Sequence, residues 1–237
     1  MQITAVGLTK AAAAAAATAG AIFVAVQIGH PASDTFTTET SAWVARSLAK
    51  IVMIALVLPA LTGMYLRQRR EAGLLGLVGY LLFSAGYLAL FCVEVTAATV
   101  LPSLVDTQPG FVDDVVAAAN GGVAEGSIGG LQTLFYLAGI GYILGGVVFG
   151  IAMFRTRILN RWAAALLAVS TLATASLAVL PEAFNRPLAV PEGIALIALG
   201  VSLWRNPTRS RSTAAVPAAR SVATAPAVSR VQHPAVP

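Results

Sequence analysis

Arginine and lysine are concentrated in alternate connections between long apolar runs, and this pattern restricts the chain to a helical fold threaded through a membrane. A helix needs roughly 20 apolar residues to cross about 30 Å of hydrocarbon. Six runs meet or approach that length, over residues 11–29, 44–66, 74–101, 129–153, 162–180 and 188–204. The sequence therefore predicts an all-α polytopic membrane protein, with a six-transmembrane-helix bundle in residues 1–205.

The balance of charge favours the same class of protein. Charged residues make up 11% of the chain and hydrophobic residues 57%, whereas soluble domains carry about 25% charged residues. The net charge of +5 could indicate nucleic-acid binding. The positive residues stand at the ends of apolar runs, however, as they do in membrane proteins. We therefore expect the lipid bilayer as a partner, and no nucleic acid.

The basic residues also predict an orientation. Of the 15 basic residues, 12 fall on the side that holds the connections after the second, fourth and sixth runs, together with one of the ten acids, Glu71. The positive-inside rule makes this side cytoplasmic. Both termini are then cytoplasmic in a multi-pass protein of the plasma membrane. Residues 206–237 have no apolar period and are predicted to be a disordered cytoplasmic tail.

The first run allows two interpretations. Lys10 precedes an apolar stretch, as in a secretory signal peptide, and the alanines from Ala11 to Ala17 contribute little transfer free energy. No convincing small-x-small cleavage site precedes Asp34. A retained first span and a cleaved signal peptide therefore both stay open.

Polar side chains inside the apolar runs are the candidate site residues. Ionisable groups are costly in lipid and usually face the bundle interior or water. Arg46 and Lys50 lie four residues apart, on one helical face. With a rise of about 1.5 Å per residue, the candidates lie in the outer third of their spans. The full set is Gln27, Arg46, Lys50, Glu94, Gln132 and Glu192.

This set has a ligand-binding and a structural interpretation. A pocket open to the exterior, with Arg46 and Lys50 facing Glu94 and Glu192, could bind a small polar or amphipathic ligand. Alternatively, the same charges form ion pairs that fix the register of the helices.

Glycine is concentrated in the fourth run. Gly141 and Gly145, and Gly146 and Gly150, form two GxxxG pairs, which let helices approach closely. We expect these glycines to pack helices inside the bundle, and the same faces could also mediate self-association.

Signatures of catalysis, metal binding and cofactor binding are absent from the sequence. There are two histidines, His30 and His233, and one cysteine, Cys92, with no HExxH, GxxxxGK[ST] or GxSxG motif. We therefore expect no catalytic residue, no metal and no cofactor. The predicted function is binding or sensing of an exterior ligand, or support of a partner complex. The alternatives are a small secondary transporter and, less favoured, an intramembrane enzyme that uses Glu94 or Glu192 as its acid or base.

Two apolar stretches carry a resemblance. The run LPEAFNRPLAVPEGIAL from Leu180 and the run GLVGYLLF from Gly76 resemble uncharacterised multispanning membrane proteins of high-GC actinobacteria. The resemblance covers residues 1–205. It implies the membrane class and adds no site residue.

Overall fold

The computed structural model describes residues 4–32, 35–178, 180 and 184–207. In these ranges the chain forms α-helices and short 3-10 turns, without strands. The α-helices are α1 (Ala5–Ala25), α2 (Thr40–Thr99), α3 (Pro109–Ala119), α4 (Gly130–Thr156), α5 (Arg161–Ala173) and α6 (Asn185–Arg205). The predicted all-α class is confirmed. The predicted tail from residue 208 onward lies outside the described residues.

Four helices are long and apolar enough to cross a membrane. They are Ala5–Ala25, Thr40–Ser103, Gly130–Thr156 and Arg186–Arg205. Such helices are typical of an integral membrane protein. The helix Gly130–Thr156 matches the fourth predicted span. The helix Thr40–Ser103 contains the second and third predicted spans.

The segment predicted as the fifth span, residues 162–180, changes from an α-helix to a 3-10 turn partway along. α5 ends at Ala173 after 13 residues and continues as a 3-10 turn over Thr174–Ala178. The Oγ1 atom of Thr174 donates to the carbonyl of Thr171 at 2.6 Å, and the Oγ atom of Ser176 donates to the carbonyl of Ala173 at 2.6 Å. Hydroxyls that bond to carbonyls three residues back compete with the α-helical ladder and favour a tighter turn.

α2 is a hairpin of two helical halves. Gly73 interrupts it with φ 55° and ψ −148°, a conformation open essentially to glycine alone. On either side the chain doubles back, because Lys50 Nζ lies 3.1 Å from Glu94 Oε1 and the hydroxyls of Thr62 and Tyr80 lie 3.0 Å apart. The halves, residues 40–72 and 74–99, correspond to the second and third predicted spans.

The helices pack in a ring. α1 packs on α2 and α6, α2 on α4, α4 on α5, and α5 on α6. At one end, Arg67 Nε donates to the carbonyl of Asn206 at 2.8 Å, and Thr156 Oγ1 donates to Gln68 Oε1 at 2.6 Å. We call this end the arginine end, because it carries the connections at residues 67–70 and 155–161. The opposite end is the cap end.

A second apolar core closes the cap end. The valines Val112, Val115 and Val116 of α3 are buried there, against side chains from the start of α2 and the loops. The other buried members are Phe36, Trp43, Leu101 and Ile128. α3 therefore lies on the protein as a roof over the bundle.

The glycines of α4 lie at two different helix contacts. A Cβ on Gly141 would come within 2.9 Å of Gly86 Cα in α2, and one on Gly150 would come within 2.8 Å of the Ala164 carbonyl in α5. Gly145 faces α2 and Gly146 faces α5 in the same way. Both GxxxG faces are thus occupied by neighbouring helices of the same chain.

Candidate functional site

An ion pair between the two halves of α2 lies beneath the cap. Lys50 Nζ and Glu94 Oε1 are 3.1 Å apart, and the two side chains are 19% and 13% exposed. Lys50 lies in the first half of α2 and Glu94 in the second half. Because the two halves are antiparallel, the two residues lie at the same level of the hairpin. The charges are therefore matched to each other in a partly buried position.

This ion pair lines a cavity of about 110 Å³. The rest of the wall is largely aromatic and aliphatic, with Phe36, Trp43 and Phe135 among the lining residues. Ser47 and Asn120 also line the cavity. A mostly apolar cleft with a few polar groups is the usual composition of a small-molecule site. We call this space the cap cavity.

The roof of the cap cavity is fixed by a carboxylate. Asp114 of α3 accepts hydrogen bonds from the backbone N–H groups of Glu125 at 2.8 Å and Gly126 at 3.0 Å. Val115 and Val116, which follow Asp114, point into the cavity wall. The loop after α3 is thus tied back to the helix, which holds the roof over the ion pair.

Arg46 lies apart from the Lys50–Glu94 pair. Its guanidinium donates to the carbonyls of Ala25 at 3.4 Å and Gly29 at 3.1 Å. The Ala25 carbonyl belongs to the last residue of α1, where a helix carries a partial negative charge, and the Gly29 carbonyl lies in the turn that follows. The prediction that Arg46 faces Glu94 is therefore wrong, and Arg46 caps α1 instead.

The two candidate glutamines also lie outside the cap cavity. Gln27 donates from Nε2 to the carbonyl of Phe23 in its own helix at 3.2 Å. Gln132 lines a separate groove of about 270 Å³, formed by the glycine-rich loop before α4 and by Tyr136. Of the six predicted ligand-binding residues, the structure brings Lys50 and Glu94 together in one cavity.

Glu192 lies in the interior rather than in an exterior pocket. Its side chain is fully buried, and its carboxylate accepts hydrogen bonds from the hydroxyls of Tyr87, at 2.7 Å, and Tyr142. Tyr87 is twelve residues from the end of α2 and Tyr142 is twelve from the start of α4, which places both about 18 Å from those helix ends. The predicted grouping of Glu192 with Lys50 is therefore wrong.

The two tyrosines are not among the residues predicted for the site. Tyr87 and Tyr142 lie inside long apolar runs, where a tyrosine is usually interpreted as an aromatic core residue. A usable signal was available, because a buried tyrosine hydroxyl needs a hydrogen-bond partner and few residues in these runs can supply one.

His30 lies at the cap end of the bundle, and its side chain is neutral. Burial lowers the pKa of His30 from 6.5 to about 4, with further lowering by the charges of Lys50, Arg186 and Arg46 and an opposing contribution from its hydrogen bond to Pro31. Its ring meets the edge of Trp43 at a centroid distance of 4.8 Å. His30 therefore contributes packing and no positive charge at neutral pH.

The chain matches no protein-family model, no curated protein and no solved structure. The resemblance to multispanning membrane proteins of high-GC actinobacteria thus stays a prediction.

Proposed function

We propose that the chain is a six-span protein of the plasma membrane that binds a small polar or amphipathic ligand in the cap cavity, from outside the cell. The observation that carries this proposal is the Lys50–Glu94 ion pair in the wall of a cavity with aromatic sides. Ion pairs that only fix helix register need no adjoining space. Here the pair adjoins open volume into which a ligand can reach.

The six-span arrangement draws support from the hairpin in α2 and from α5. Each half of α2 is long enough to cross a bilayer. α5 and its 3-10 continuation together cover residues 161–178, a helical path of about 29 Å. With α1, α4 and α6 the chain then crosses six times. The arginine end becomes cytoplasmic, with both termini on that side, and the cap end exterior.

Retention of α1 in the mature protein is part of the proposal. Gly20 of α1 lies against the backbone of Gly193 in α6, and Ala16 and Ala19 are fully buried. A helix packed this closely into the ring, and capped by Arg46, fits a structural span better than a leader that is removed.

Cysteine labelling tests the orientation. With Cys92→Ser as background, Arg69→Cys and Gly110→Cys place a thiol at exposed positions of the arginine end and the cap end. In intact cells, a membrane-impermeant maleimide should label residue 110 and leave residue 69 unlabelled until the membrane is permeabilised. Labelling of residue 69 but not 110 in intact cells would reverse the orientation.

The size and chemistry of the ligand follow from the cavity. About 110 Å³ is slightly less than an engineered cavity of about 150 Å³ that accepts benzene. In proportion to benzene, a ligand of about four heavy atoms fits without movement of the roof. A ligand with a carboxylate or an ammonium group can pair with Lys50 or Glu94, while its apolar part contacts Trp43 and Phe135.

Ligand binding should depend on both charges. For an amino-acid probe, which carries both charges, Lys50→Met and Glu94→Gln should each weaken binding at least about tenfold, because a charge-assisted contact contributes at least about 1.4 kcal/mol. Binding is measured by native mass spectrometry of the detergent-purified protein, and by Trp43 fluorescence with Trp162 and Trp204 replaced by Phe. The probes are amino acids, small carboxylates and small amines.

The matched control for the binding experiment is Asp113→Asn. It removes an exposed charge from α3 that does not line the cap cavity, so affinity should stay within about twofold of the parent, a change of about 0.4 kcal/mol. Equal affinities in all four proteins would contradict the proposed site. So would a wild-type protein to which none of the probes binds.

Secondary transport is the second candidate function, and Glu192 is the observation that favours it. A carboxylate buried among transmembrane helices often marks an ion or substrate path. A binding protein needs only the cap cavity, whereas a transporter must move the ligand across the bilayer. Uptake of the bound probe by proteoliposomes, compared with empty liposomes, separates the two.

A further inference from the structure

A buried carboxylate lies at the junction of three helices, away from the cap cavity. Glu192 projects from α6, and its two oxygens contact the hydroxyls of Tyr87 in α2 and Tyr142 in α4. The surrounding core contains Phe83 and Leu196, which are also fully buried. Three helices are thus joined in the buried core by one polar cluster.

The charged groups around this cluster can be followed helix by helix. α2 and α4 present the two tyrosine hydroxyls to Glu192, and no described residue forms an ion pair with it. On α1, Lys10 is at the arginine end, with its ammonium 5.2 Å from the Trp204 ring. On α5, Arg161 is at the same end, over the ring of Phe154. On α6 itself, Arg186 lies six residues earlier, about 9 Å along the helix.

An ionised carboxylate in this position would lack a balancing charge. Removing a carboxylate from water is strongly unfavourable unless a cation or several donors compensate, and two neutral hydroxyls compensate only in part. A protonated carboxyl avoids the cost. It accepts from Tyr87 through one oxygen, and it donates to or accepts from Tyr142 through the other.

The backbone beside Glu192 is also suited to movement. Pro191 lies inside α6 and has no N–H, so the carbonyl of Pro187 receives no helical hydrogen bond from it. The turn that leads into Glu192 therefore lacks one helical hydrogen bond. A change in the hydrogen bonds of Glu192 can be absorbed there while the rest of the helix stays in place.

We propose that Glu192 is a proton-binding site in the interior of the bundle, and that release of its proton separates α6 from Tyr87 and Tyr142. The protonated form closes the three-helix junction. In the ionised form the proton has passed to water, and the carboxylate needs water or a cation beside it. The site would supply the proton step for a transport cycle, and it does not depend on ligand binding in the cap cavity.

Infrared spectroscopy of the full-length protein in lipid bilayers tests this proposal. The wild-type spectrum at neutral pH should contain the carbonyl-stretch band of a protonated carboxylic acid. The band should be absent from Glu192→Gln and retained in Glu94→Gln, a control that changes the carboxyl paired with Lys50. As pH rises, the wild-type band should be replaced by carboxylate bands.

The tyrosine variants keep the test valid if Glu192→Gln does not fold. In Tyr87→Phe and in Tyr142→Phe the band should persist and shift in frequency, because the carboxyl loses one hydrogen-bond partner. The proposal is overturned if the wild type shows no such band at neutral pH, or if Glu94→Gln removes it. It is also overturned if neither tyrosine variant shifts it.

Discussion

Gly145→Ala should destabilise the bundle by about 2–3 kcal/mol, as overpacking of a close contact does. A Cβ at residue 145 would press on the backbone of Phe83 and lie 2.7 Å from the carbonyl carbon of Leu82. These are backbone atoms in the middle of α2, so no rotamer change can relieve the clash. α2 and α4 would have to move apart, which would also disturb the neighbouring contact of Gly141 with Gly86. Unfolding of the detergent-solubilised protein in increasing SDS measures the loss.

Gly139→Ala is the matched control for this contact. Gly139 lies on the same helix, less than two turns away, and a Cβ there would meet no atom within 4 Å. Alanine is a better helix former than glycine by about 0.5–1 kcal/mol, so this variant should be as stable as the parent or slightly more so. If both variants unfold at the same SDS fraction, then close contact at Gly145 does not hold α2 and α4 together.

Gly73→Ala should cost about 1–3 kcal/mol for a different reason. A Cβ on Gly73 would meet nothing within 4 Å, but the residue has φ 55° and ψ −148°. An L-alanine is strained in that conformation whatever space surrounds it. The substitution also favours continuation of the helix across the turn, which would pull Lys50 away from Glu94.

The same SDS titration measures the effect of Gly73→Ala, again with Gly139→Ala as reference. Both positions have room for a methyl group, so the difference between the two variants reports backbone conformation alone. A Gly73→Ala protein as stable as Gly139→Ala would show that the turn between the halves of α2 can adopt another conformation without loss of the hairpin.

The apolar runs allowed most of the fold to be predicted. Runs of leucine, valine and isoleucine bounded by arginine locate α4 and α6 to within three residues of their ends, because a spanning helix needs a minimum apolar length and a satisfied backbone. The first predicted span begins six residues after the observed start of α1. A hydropathy pattern finds the apolar part of a helix, whereas this helix begins where Thr4 Oγ1 accepts from the N–H of Gly7.

The site was predicted less completely than the fold. Depth along a span follows from residue number, and on that basis Arg46 and Lys50 were grouped with Glu94 and Glu192 in the outer third of their spans. The rotation of each helix about its own axis decides which neighbouring residue a side chain contacts. A single sequence does not determine that rotation. For that reason Glu192 was assigned to the exterior pocket, and Arg46 was assigned to the wrong partner.

The closure of the ring between α1 and α6 has a consequence for biosynthesis. α1 is alanine-rich, with the lowest hydropathy of the four candidate spans at 1.5, and its small residues lie against Gly193 and Gly200 of α6. In the proposed membrane arrangement lipid alone retains α1 weakly, and α1 is held by its packing on both α2 and α6. α6 follows the other described helices along the chain, so the contact that closes the ring can form only after α2 to α5 have been synthesised.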